Sequence, residues 1–124
     1  MKTIQETAET FEVSTRTLRY YEEIGLLEPD RSSGNQRKYS KADETRLKLI
    51  LRGKKYGFSL DEIREMVLLF DEDRSGKKQL ERTIEYGEAR VREIEASIKE
   101  FQALKQEMED LLEGFKQKLK EEKE

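Results

Sequence analysis

The sequence predicts a mainly α protein: a winged helix-turn-helix, then a helix pair, then one long coiled-coil helix. Three observations predict it. Two short amphipathic helices are joined by the tight link Glu12-Val13. A basic, turn-rich segment from Asp30 to Tyr39 follows them and has the form of a small β-hairpin. From Lys77 onward, apolar residues recur in alternating steps of four and three, the seam of a coiled coil.

In chain order, Thr3-Ile4-Gln5-Glu6 has capping-box form, a hydroxyl at the cap and a carboxylate three residues on. It opens a helix over roughly 4–11 with Ile4, Ala8 and Phe11 on one face. Ser14 caps the second helix, and Gly25 supplies a left-handed stop. Leu18, Tyr21 and Ile24 form its buried stripe. Arg16, Arg19 and Tyr20 fall off that stripe and project outward. Small Ala8 suits the crossing of two helices joined so closely, the geometry of a helix-turn-helix, although an ordinary helical hairpin has the same spacing.

Leu26-Leu27-Glu28-Pro29 leaves the second helix in extended conformation, broken by the only proline. Ser32-Ser33-Gly34-Asn35 is a turn signal. Its flanks bring Arg31, Arg37, Lys38 and Tyr39 beside the second helix as a wing. Ser40 caps a third helix over roughly 41–56, with Leu47, Ile50 and Leu51 inward and Arg46, Lys48, Arg52, Lys54 and Lys55 outward. Gly57 ends it. Ser59-Leu60-Asp61-Glu62 is another capping box. The fourth helix, about 60–70, has Leu60, Ile63, Met66, Val67 and Phe70 on its apolar side. A polar linker, Asp71 to Gly76, closes this half.

Leu80, Ile84, Gly87, Val91, Ile94, Ile98 and Phe101 then mark the seam. Leu104 takes the step at which Lys105 would continue it, before Met108, Leu111 and Phe115 resume, so a stammer or bend is expected near 102–105. A helix of some 36 residues is about 54 Å long. A body of about 70 residues cannot cover so long a stripe, so the seam is expected to meet a second copy. Lys116 to Glu124 is nearly all charge and is expected to fray. The resulting domains are 1–72, winged helix-turn-helix with linking helix pair; 73–113, dimerisation helix; and 114–124, charged tail.

Composition agrees. Of 124 residues, 43% are charged and 34% hydrophobic, too few apolar groups for one large core. The net charge of −3 hides an asymmetry: residues 14–55 hold 11 Lys and Arg against 6 Asp and Glu, a net +5. Outward arginines on a short helix suit the major groove, where guanidinium reads guanine edges or holds phosphate. With no cysteine and no histidine, disulfides, thiolate chemistry and imidazole ligands are excluded. No metal site and no cofactor is expected. No phosphate loop or nucleophile–base set is present, so an enzyme is not expected. Two rivals remain, a coiled-coil adaptor that never touches DNA and an excisionase-like architectural DNA-binding protein. No apolar run reaches membrane-spanning length and no hydrophobic segment follows Met1-Lys2-Thr3, which leads to the expectation of a soluble, cytoplasmic protein.

The run from Ser14 to Pro29, with Arg37-Lys38-Tyr39 after it, resembles the signature of MerR-type transcriptional regulators. The likeness is close over 3–70 and architectural over 77–112. It implies a bacterial homodimer whose long helices pack antiparallel, bound to a near-palindromic element of double-stranded DNA in a promoter. Transcription would be controlled by bending and untwisting that DNA for RNA polymerase. It assigns Ser14, Thr15, Arg16, Arg19 and Tyr20 to the recognition helix and its adjacent phosphates. Arg31, Arg37, Lys38 and Tyr39 go to the wing, and Lys54 to a flanking phosphate. Leu80, Ile84, Val91, Ile94, Ile98, Phe101 and Met108 are assigned to dimerisation. One residue departs from the pattern: the family usually has glycine where this chain has Glu12. Sensors of the family that bind metal use cysteines, which are absent here. A small-molecule effector, if there is one, would sit near Tyr56, Phe58, Phe70 and Tyr86. The sequence leaves open the operator, the effector, and activation against repression.

Overall fold

The computed structural model describes all residues except Ser32, Ser33 and Glu124, so the Ser-Ser half of the expected wing turn lies outside the described residues. The elements are α1 (Ile4–Phe11), α2 (Thr15–Glu23), β1 (Asp30–Arg31), β2 (Arg37–Lys38), α3 (Lys41–Lys55), α4 (Leu60–Glu72) and α5 (Lys77–Lys123). The predicted fold class is the observed one.

The helix starts follow local chemistry. Thr3, Ser14, Ser40 and Ser59 each accept a hydrogen bond from the backbone N–H three residues on. The boxes at Thr3, Ser40 and Ser59 are closed by Glu6, Asp43 and Glu62. The ends are equally local. After α2, Leu26 N–H donates to Tyr21 C=O and Gly25 N–H to Glu22 C=O. After α3, Phe58 N–H donates to Gly53 C=O and Gly57 N–H to Lys54 C=O. Both are Schellman motifs with a left-handed glycine, φ 79° at Gly25 and 80° at Gly57.

The compact unit from Met1 to Tyr86 is built around Leu18, Leu27, Leu47, Ile50 and Ile63, all essentially buried. α3 and α4 cross at Gly53, where an added Cβ would come within 2.6 Å of Ile63 Cγ1. Arg46, read from sequence as outward, instead joins these helices: its guanidinium is 2.8 Å from Asp43 on α3 and 2.8 Å from Asp71 on α4. The first turns of α5 pack on α4 through a polar face. Arg82 Nε donates to Glu65 Oε1 at 2.7 Å, the Tyr86 hydroxyl donates to the same carboxylate, and Gln79 is buried. Leu80 and Ile84, on the other side of those turns, stay exposed.

The second compact unit begins at Gly87. Its helix departs from expectation at the C-terminal end. The helix runs without interruption through 102–105, where a stammer or bend is expected from Leu104, and Lys105 there pairs with Glu109 at 3.8 Å. The segment 114–123 is helical rather than frayed. Its Glu, Lys and Gln are strong helix formers, and Lys120 and Lys123 in the last turn complement the helix dipole.

Candidate nucleic-acid interface

α2 presents two faces. Leu18 and Tyr21 are buried, 0% and 4% exposed, while Arg16, Arg19 and Tyr20 all lie on the exposed side. Among the described residues neither Arg16 nor Arg19 forms an ion pair, so both guanidiniums keep their full donor set. Tyr20 is 49% exposed, its ring 5.9 Å from that of Tyr21. Ser14 is exposed and caps α2 through Thr17 N–H, and Thr15 is partly covered at the same end.

The wing follows. β1 and β2 pair antiparallel, Asp30 opposite Lys38 and Arg31 opposite Arg37. Arg31 is exposed and donates to Asn35 C=O at 3.1 Å, and Asn35 itself is left-handed at φ 61°. The sequence gives no sign of the N-terminal bridge, in which Lys2 N–H donates to Tyr39 C=O and Tyr39 N–H donates to Lys2 C=O.

Two wing residues are tied to Glu22. Tyr39 is buried, 1% exposed, and its hydroxyl donates to Glu22 Oε1 at 3.1 Å. Burial, with the Glu22 carboxylate beside it, holds that phenol far above its ordinary pKa. Arg37 is partly exposed, with its Nε 2.7 Å from Glu22 Oε2. The Tyr39 hydroxyl is not offered to a ligand. The residue that sequence reading misses is Glu22, which ties β2 to the recognition helix. Lys38 is half-buried, and Lys54 is exposed near the end of α3 with Arg52 and Lys55.

Of the aromatics considered for an effector, Phe58 and Tyr86 pack on each other with ring centroids 6.3 Å apart and planes tilted by 51°, and Arg74 lies 4.9 Å over Phe70. A cavity of about 290 Å³ opens between the exit of α2 and α3–α4, against Gly25, Leu26, Arg46, Arg64 and Val67. Among the described residues no group of His, Cys, Asp and Glu side chains could hold a metal ion, and no helix is long and apolar enough to cross a membrane.

A recognition helix beside a wing is a geometry that many DNA-binding proteins share. The model of the MerR HTH family regulatory protein matches residues 2–68, and that of MerR, DNA binding matches residues 44–111. The chain belongs to the MerR family. It is a DNA-binding transcriptional regulator. Among MerR relatives, the HTH-type transcriptional regulator HmrR of Rhizobium leguminosarum bv. viciae is 31% identical over 110 residues, covering 88% of this chain and 82% of that protein. The mercuric resistance operon regulatory protein of Pseudomonas fluorescens is 45% identical over 60 residues, 48% of this chain, and the match spans 42% of that protein. Among solved structures, HiNmlR, a MerR family regulator lacking the sensor domain and bound to promoter DNA, superposes with a TM-score of 0.60 at 25% identity. That match covers 82% of this chain and 75% of that one.

Proposed function

We propose that two copies of this chain bind one near-palindromic promoter element and control transcription by deforming it for RNA polymerase. The observation that carries this reading is the exposed face of α2: Arg16, Arg19 and Tyr20 project from a helix whose opposite face is locked in the core. Arg16 and Arg19 read guanine edges or hold adjacent phosphates in the major groove, with Ser14 and Thr15 on the backbone at the helix start. Arg31 and Lys38 on the wing, and Lys54 on α3, hold flanking phosphates, which position the protein without reading sequence. Tyr39 acts on DNA only through the wing it holds in place, and Arg37, tied to Glu22 through Nε, adds a wing contact from its exposed side.

The dimer rests on the uncovered apolar seam of α5, where Val91, Ile94, Ile98, Phe101 and Met108 are all exposed. Leu80 and Ile84 continue it towards the first unit. HiNmlR, bound to promoter DNA, supports this choice of ligand. The chain acts by binding rather than catalysis, and its place is the cytoplasm, where promoter DNA and RNA polymerase are. Any effector works through the two-fold assembly.

Arg19→Ala tests the assignment. One good contact from arginine to guanine is worth about 1–3 kcal/mol and the dimer makes it in each half-site, so operator affinity should fall at least tenfold while the dimer stays intact by light scattering. Unchanged affinity would contradict it.

A further inference from the structure

The geometry points to the cavity at the exit of α2 as a binding site for a small zwitterion, an apolar α-amino acid, with its carboxylate on Arg64 and its ammonium on Glu28. Its lining residues all belong to the first compact unit. The consequence of binding for the operator rests on the DNA reading above, whereas binding itself does not.

The cavity is lined by Gly25, Leu26 and Glu28 from the α2 exit and by Arg64, Val67 and Leu68 from α4. At about 290 Å³ it stands at the small end of ligand pockets, which suits a molecule the size of an amino acid. Arg46 and Asp71 also line it, but they satisfy each other. Arg46 is 2.8 Å from both Asp43 and Asp71, and Asp71 also faces Arg74 at 3.5 Å. Arg64 and Glu28 differ. Among the described residues neither has an ion-pair partner, although both line the same cavity.

Arg64 is only partly exposed. A guanidinium partly withdrawn from water without an acceptor is unfavourable, and its planar fork matches a carboxylate. Its Nη1 is 3.6 Å from the point where a Cβ would stand at Gly25, so the missing side chain leaves room beside it. Glu28 is exposed and offers a weaker, solvent-screened partner for an ammonium. The two unpaired charges cancel. A simple anion would gain Arg64 against repulsion from Glu28, and a simple cation the reverse. A molecule that carries both charges satisfies both residues. Leu26 and Val67, buried, and Leu68, 55% exposed, supply apolar surface for its side chain. Gly25 and Leu26 form the stop of α2, and Arg46 joins α3 to α4. An occupant touches both, and so is placed to shift the recognition helix against its support.

The test needs no DNA. Full-length protein labelled with nitrogen-15 is titrated with L-leucine, L-leucinamide and 4-methylpentanoate, and the amide resonances of Gly25 and Leu26 are followed. Leucine should move them saturably. Leucinamide, which lacks the carboxylate, should bind about tenfold more weakly, and 4-methylpentanoate, which lacks the ammonium, a few-fold more weakly. Arg64→Gln removes no ion pair, so it should fold with a dispersed spectrum yet lose the leucine response, and Arg64→Lys should keep part of it. No movement with any of the three compounds would overturn the site. Equal binding of leucinamide, or an unchanged response in Arg64→Gln, would overturn the role of Arg64. Equal binding of 4-methylpentanoate would overturn that of Glu28. None of these results bears on whether the protein reads an inverted repeat.

Discussion

Glu12 stands at a backbone position that favours glycine. It ends α1 at φ 56° and ψ 43°, with Val13 N–H donating to Ala8 C=O and its own N–H to Glu9 C=O, the bonding that Gly25 and Gly57 make after α2 and α3. A left-handed L-residue costs roughly 1–2 kcal/mol, part of which glycine returns as unfolded-state entropy. Glu12→Gly should therefore raise stability by about 1 kcal/mol, read as a higher midpoint of denaturant unfolding with an unchanged slope. A lower midpoint would mean that the Glu12 side chain contributes something its exposure does not suggest. At this scale the sequence is highly legible. The caps at Thr3, Ser14, Ser40 and Ser59 and the stops at Gly25 and Gly57 depend on atoms within five residues. Tyr39 and Arg37 are not legible, because their surroundings are set by Glu22, seventeen and fifteen positions away. Nothing in a basic, aromatic segment shows which of its polar heads face inward.

Between elements, the Glu22 carboxylate joins the recognition helix to the wing. It accepts from Arg37 Nε at 2.7 Å and from the Tyr39 hydroxyl, and the Glu22 and Arg37 side chains are 14% and 23% exposed. Hydrogen bonds to a charged partner are worth about 1.5–3 kcal/mol each, and removing one member leaves the other poorly solvated. Glu22→Ala should loosen the wing without unfolding α2. In a hydroxyl-radical footprint, protection beneath the wing should be lost while protection beneath Arg16 and Arg19 remains. An unchanged footprint would show that the wing keeps its place without Glu22. The helix pair was legible from apolar spacing, since Ile63, Met66 and Val67 are indeed its buried residues. The polar joint between α4 and α5 was not. Arg82, Thr83 and Tyr86 meet Glu65 and Met66 across a turn, a pairing that hydrophobic periodicity does not register.

At the scale of the molecule, charge and apolar surface are divided between two tasks. Residues 14–55 carry the net +5, and α5 carries an apolar track that nothing in its own unit covers. The two faces of the first turns of α5 keep these tasks apart: the polar face packs on α4, and Leu80 and Ile84 remain for a partner. The apolar track was legible, because its alternating steps of four and three are carried by neighbouring turns of one helix. The central claim is that a dimer reads two half-sites through paired recognition helices. Selection of bound duplexes from a random library by the purified protein tests it most directly. Moderate salt keeps phosphate contacts from masking sequence preference. The account predicts enrichment of an inverted repeat with two half-sites at fixed spacing. Enrichment of a single unrepeated site by a dimeric, folded protein would contradict it.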